Sequence, residues 1–297
     1  MKTPSKRRHT MRSTIIQLFR ATVLVLGLAG AGLAVAADPG HYAELPGVKL
    51  WYTDSGGGGT PLILMHANTG TSETWPEQIG AFAAAGYRVI AFDRRGWGKS
   101  MAEPASGEQP GSVSGDLDAL IGHLKLDKVF LVGVAGGGFS ALDYAAWRPG
   151  RVRAMVVAAS SARLDAEPEM KALTARIDMP GRRKLPVVYM EVSPAYRSAD
   201  PAGTELWMHH EEHARQKGAA DQPLRTANTY AKLESITAPT LVVAGGADLI
   251  APPGLMRVWA SHVKGSEFKV IGDAGHAVSW EQPHAFNAAV LDFLRRH

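Results

Sequence analysis

The chain has 297 residues and not one cysteine. Disulfides, a thiolate nucleophile and a thiolate metal site are thereby excluded. Its most apolar stretch, residues 21–33, falls short of the ~20 residues that span a bilayer. An excess of one charge is also missing once the N-terminus is set aside. Six of the 32 Lys and Arg lie in the first 36 residues, where no acidic residue occurs, and 26 basic side chains face 28 acidic ones in the remainder. The formal charge of +4 belongs to that leading segment, so a nucleic-acid partner is not implied. Internal repeats are absent. The glycines at 56–59 are not followed by a helix carrying Lys-Ser/Thr, so they form no phosphate-binding loop. His210-Glu211-Glu212-His213 lacks the spacing of a zinc helix, and reads as a polar helix face. No cofactor and no metal are expected, and the expected partner is a small molecule. With 45% hydrophobic and 20% charged residues, the composition is that of a soluble globular protein. The length suits one large α/β domain with an insertion.

Residues 1–36 have the layout of an export signal. A basic region holding Arg7, Arg8 and Arg12 precedes the apolar stretch, and Ala34-Val35-Ala36 supplies the small residues of a cleavage site. The expected product starts near Ala37, in the periplasm or outside, with no stable membrane association after processing. Arg7-Arg8 admits twin-arginine export beside the general route.

Beyond that segment, apolar runs alternate with helical patterns. Strands are predicted at 48–53, 61–65, 87–92, 128–132, 152–158, 239–244 and 267–271. Helices are predicted at 74–85, 112–124, 139–146 and 283–296. Such alternation implies right-handed crossovers and a mostly parallel sheet covered on both faces. Residues 160–237 break it with prolines, charges and scattered aromatics, and read as a helical cap inserted into a core formed by 37–159 and 238–297.

The strand at 128–132 runs into Gly133-Val134-Ala135-Gly136-Gly137 and then into a helix. Strand, tight Gly-rich turn and helix form the context of the nucleophile elbow G-x-S-x-G. Here a methyl group stands at the nucleophile position, Ala135. The sequence alone fits a natural alanine or an engineered one. No other serine has an elbow to present it, neither Ser100, Ser140, Ser160 nor Ser161, and no aspartate stands at 135.

The order of elements and four motifs resemble the α/β-hydrolase family over about residue 45 to the C-terminus. These are His66-Ala67-Asn68, Asp93-Arg94-Arg95-Gly96-Trp97-Gly98-Lys99-Ser100, the elbow at Ala135, and a late acid and histidine. The resemblance implies a doubly covered, mostly parallel sheet with a small helical cap. It also implies that Asp248 and His276 form an acid–histidine pair, with the acid fixing the imidazole tautomer. An oxyanion hole would use the N–H of Gly136 and the loop around Ala67 and Asn68, with Trp97 near the mouth of the pocket. His66 and Asp273 are expected to be structural. Three functions fit: hydrolysis of a small ester, lactone or related acyl compound; a lyase or cofactor-free oxygenase using His276 and Asp248 as base; and non-catalytic binding. A binding protein has no use for a polarised histidine.

Overall fold

The computed structural model describes residues 39–178 and 180–297. The expected export segment, residues 1–36, lies outside the described residues. A hairpin of β1 (His41–Leu45) and β2 (Val48–Asp54) opens the fold. The chain continues through β3 (Thr60–Met65), α1 (Pro76–Ala84), β4 (Tyr87–Phe92), β5 (Met101–Ala102) and α2 (Val113–His123). Next come β6 (Val129–Val134), α3 (Gly136–Trp147) and β7 (Val152–Ala158). Five helices follow before the sheet resumes: α4 (Pro168–Ile177), α5 (Val187–Glu191), α6 (Pro194–Ala199), α7 (Pro201–Ala214) and α8 (Tyr230–Glu234). The last elements are β8 (Thr240–Gly245), α9 (Pro253–Ala260), β9 (Glu267–Ile271), α10 (Val278–Glu281) and α11 (Pro283–Arg295).

The strands run in the order β1-β2-β4-β3-β6-β7-β8-β9, with β5 beside β2. Pairing is antiparallel up to β2–β4 and parallel from β4 to β9. Strands β6 and β8 are buried at every residue, because helices cover both faces of the sheet. Side-chain alternation along β3 divides the core in two. Leu62 and Leu64 pack with Phe82, Phe286 and Phe293 from α1 and α11. Ile63 and Met65 pack with Leu117, Leu142 and Trp259 from α2, α3 and α9. β1 and β5, which the sequence reading passed over, are short edge elements; β5 is two exposed residues.

The chain moves outward from β3 to β4, then returns to place β6 on the other side of β3. The carboxyl ends of β3 and β6 therefore border a topological switch point, where open α/β sheets take their ligands. Ala67 and Asn68 follow β3, and Ala135 follows β6. Glycine is required at the elbow by close approach. A Cβ on Gly137 would stand 2.0 Å from the Met65 carbonyl oxygen, and one on Gly133 would stand 2.5 Å from that of Gly137. The helical segment between β7 and β8 is tied to α3, since Lys232 pairs with the buried Asp143 and Asn228 donates to the Phe139 carbonyl.

Candidate active site

Ala135 occupies the turn between β6 and α3 with φ +48° and ψ −110°. Positive φ in a residue with a Cβ is strained, and such strain persists only where the surroundings impose it. Here β7 imposes it. Ala135 N–H donates to the Ala158 carbonyl at 2.9 Å, and its own carbonyl accepts the Ser160 hydroxyl at 2.9 Å. The N–H of Gly136, first residue of α3, finds no acceptor among the described residues, and neither does that of Ala67. A helix N-terminus with a free N–H favours an anion.

Three of the serines weighed in the sequence are committed elsewhere. Ser160 is occupied as above. Ser140 donates to the Gly136 carbonyl at 3.1 Å, and Ser100 to that of Asp93 at 2.6 Å.

His276 and Asp248 meet beyond β9 and β8. Their contact is 2.9 Å between Nδ1 and Oδ2, and both are buried. The carboxylate can only accept, so Nδ1 carries the proton of this bond and Nε2 is left for chemistry. Oδ1 of Asp248 accepts from the N–H groups of Ile250 at 2.7 Å and Ala251 at 2.8 Å. Burial alone would raise the Asp248 pKa. The His276 charge and hydrogen bond, with those two N–H groups, hold it below the usual carboxylate value. Burial would likewise lower the His276 pKa. The Asp248 carboxylate, by charge and hydrogen bond, and then Glu191 lift it to about 9. The histidine loop is anchored on both sides. Gly275 N–H donates to the Glu281 carboxylate at 2.9 Å, and Ala277 N–H donates to the Glu191 carbonyl at 3.0 Å.

A small cavity of about 30 Å³, room for one water, is lined by His276, Ala67, Val134, Glu191, Trp75 and Trp207 among others. Trp75 is buried there with its indole N–H unpartnered. Sequence reasoning missed Glu191. Its carboxylate accepts the Thr69 hydroxyl at 2.7 Å, and burial raises its pKa against the opposing pull of His276 and Thr69. No local motif marks it, because it reaches the site from α5 through tertiary packing.

Asn68 lies against the elbow. A Cβ on Gly136 would be 2.4 Å from Asn68 Oδ1. That oxygen accepts from Arg94 Nη2 at 2.9 Å, and since guanidinium only donates, the Asn68 NH₂ points away from Arg94. Trp97, expected near the mouth, lines a cavity together with Asn68 and Arg94. It is 4% exposed, donates from Nε1 to the Asn68 carbonyl at 2.7 Å, and stacks against Arg94. Its burial arises because the segment after α7 closes over it, with an isolated bridge between Trp97 and Arg215.

His66 donates from Nδ1 to the Ala67 carbonyl at 2.7 Å and accepts the Arg94 N–H on Nε2 at 3.0 Å. Burial holds its pKa well below the usual histidine value, so it is a neutral brace for the loop after β3. Asp273 is an exposed turn residue with φ +58°. Asp93 is likewise structural, accepting the N–H groups of Ser72 and Lys99. Among the described residues no cluster of His, Cys, Asp or Glu has the arrangement of a metal site, and no helix is long and apolar enough to cross a membrane.

A mostly parallel sheet with an acid–histidine pair beyond β8 and β9 and a strained elbow after β6 defines a protein of the α/β-hydrolase class. Comparison with known proteins agrees. Residues 62–289 match the model of the Alpha/beta hydrolase family, and the chain belongs to that family. It is similar to a 2-hydroxy-6-oxononadienedioate/2-hydroxy-6-oxononatrienedioate hydrolase of Burkholderia vietnamiensis. The two are 29% identical over 266 residues, which cover 84% of this chain and 92% of the relative. Among solved structures it resembles a thermophilic esterase from Thermogutta terrifontis, with a TM-score of 0.72 and 27% identity over 86% of this chain and 98% of the other. An enol-lactonase from Burkholderia xenovorans gives a TM-score of 0.71 and 25% identity over 86% of this chain and 99% of the other. The chain is thus an enzyme of hydrolase type.

Proposed function

We propose that the chain hydrolyses a small ester, lactone or related acyl compound by direct attack of water, with His276 as general base. The observation that carries this reading is the buried His276–Asp248 pair, whose histidine shares a cavity with Val134, the residue before the methyl-bearing elbow at Ala135. Nε2 of His276 takes a proton from water as the water oxygen bonds to the acyl carbon. Asp248 stabilises the imidazolium that forms. The oxyanion is met by the free N–H groups of Ala67 and Gly136. On collapse the alkoxide leaves, and His276 returns the proton to it. Esterase and lactonase activities among the relatives support the acyl class. Product analysis over a panel of aryl esters and lactones tests the reading. Aryl esters are expected to give acid and phenol in equal amounts, and lactones the ring-opened hydroxy acid. Cleavage or oxygenation without net hydrolysis would instead assign the pair to lyase or cofactor-free oxygenase chemistry.

The His276 pKa fixes the pH behaviour. A base lifted to about 9 is protonated at neutrality, so kcat/KM should climb with pH and level off above about 9. Stability should move the other way. The folded pKa exceeds the unfolded value of ~6.5, so the pair's stabilisation is complete below that pH and is lost as pH rises through the folded value. A pH–rate profile and thermal melts between those limits check both slopes. A rate already flat at pH 6 would contradict the assignment.

We place this activity outside the cytoplasm, on the strength of residues 1–36. Sequencing the N-terminus of exported protein, expected near Ala37, tests that, and an uncleaved chain held in membranes would refute it.

A further inference from the structure

Two arginines follow β4 in succession, and their surroundings differ. Arg95 is fully used. It pairs through two nitrogens with the buried Asp116, and donates to the carbonyls of Glu108 and Pro46. Arg94 is 4% exposed and has no carboxylate within ion-pair distance among the described residues. Its side chain makes one hydrogen bond, to Asn68, and its Nε is buried without a partner. The guanidinium carbon lies 4.2 Å from the centre of the Trp97 ring. Burying a cation this poorly compensated is unfavourable. Burial also draws its pKa down to about 9, which leaves it charged at neutral pH.

The group lies beside the elbow and in a cavity. Nη1 is 3.3 Å from where a Cβ on Gly136 would stand. The cavity, about 230 Å³, is lined by Asn68, Arg94, Trp97, Phe139, Arg163 and Gln222, together with Val113 and Asp221. The charge of Asp221 acts on Arg94 and partly offsets its burial, but it makes no ion pair with it: the Asp221 carboxylate pairs with Arg215 at 2.9 Å. The consecutive residues Ala67 and Asn68 each line one cavity, Ala67 the one with His276 and Asn68 the one with Arg94. A substrate whose acyl carbon sits at the elbow has this cavity within reach on its other side.

We propose that Arg94 and the cavity it lines form a carboxylate subsite, so that the substrate is an acyl compound carrying a second, free carboxylate. A carboxylate supplies what the site lacks, a planar acceptor matched to the guanidinium fork. The tryptophan face holds the guanidinium plane in place without consuming its donors. This inference rests on the hydrolytic reading for its acyl end alone; the anion end stands on binding.

The test compares two aryl esters of matched length, the p-nitrophenyl monoester of adipic acid and p-nitrophenyl hexanoate. The unmodified chain is expected to favour the adipate ester in kcat/KM by about tenfold or more, one good charge-assisted contact. In Arg94→Gln that ratio should fall to near one, chiefly through KM. The ratio cancels any effect on the elbow that both esters share. Binding is read separately, by the rise in melting temperature with free glutarate at constant ionic strength. A rise in the unmodified chain that is lost in Arg94→Gln is expected, whether or not either ester is turned over. Turnover of neither ester with this shift intact would sink the hydrolytic reading and spare the subsite. An unchanged ester ratio in Arg94→Gln, or an equal glutarate shift in both proteins, would overturn the subsite. Inorganic phosphate acting as well as glutarate would overturn the carboxylate class. The melting temperature of Arg94→Gln without ligand separates a structural role: removing an unpaired buried cation should not lower it.

Discussion

Replacing His276 with alanine is expected to lower kcat/KM on the chain's acyl substrate by ~10²–10⁴, the usual contribution of a positioned general base. The imidazole is held from several directions. Asp248 fixes Nδ1, while the flanking Gly275 and Ala277 N–H groups are hydrogen-bonded to Glu281 and Glu191. The residues around it are already anchored, so the variant should fold and lose chemistry. Asp248→Asn should cost less, yet still heavily. An amide can present its NH₂ to Nδ1 and leave the imidazole in the wrong tautomer. Steady-state kinetics with melts of both variants check the order. Turnover in His276→Ala equal to that of the unmodified chain would remove His276 from the mechanism.

A serine at 135 is expected to turn a chain that fluorophosphonates do not label into one they label stoichiometrically. The backbone already holds φ +48°, and β7 and Ser160 brace it on either side. Serine adds one oxygen to a Cβ that is already there, in the conformation from which an elbow nucleophile is presented. His276 and the free Gly136 N–H then supply base and oxyanion donor. The unmodified chain should give no adduct, since Ser100, Ser140 and Ser160 are all hydrogen-bonded to backbone carbonyls. Intact-mass measurement decides. An adduct on the unmodified chain would reveal a missed nucleophile, with Ser160 and Ser161 the first to inspect. Silence from Ala135→Ser would mean that the elbow and His276 are not aligned for acyl transfer.

The parts of the site that were legible in the sequence are those fixed by local geometry. A Gly-flanked turn after a buried strand marks Ala135, and turns after β8 and β9 mark Asp248 and His276. Each needs only its own neighbours to be recognised. Glu191 was illegible because α5 carries it to the site across the fold, and nothing within a few residues distinguishes it from a surface glutamate. The depth at which Trp97 is buried was illegible for the same reason, since the chain that covers it comes from more than a hundred residues away. Arg94 left a faint trace. Two successive arginines follow β4, and Asp116 accepts only one of them. That inequality becomes visible once partners are assigned in three dimensions.

The proposed hydrolysis passes through no acyl-enzyme. Rapid mixing of the unmodified chain with p-nitrophenyl acetate, followed by nitrophenol release and by intact mass of the quenched protein, tests it most directly. The predicted result is release that is linear from the first turnover, with a protein mass unchanged throughout and no turnover above background in His276→Ala. A burst equal to the enzyme concentration, accompanied by an acetylated protein, would contradict it.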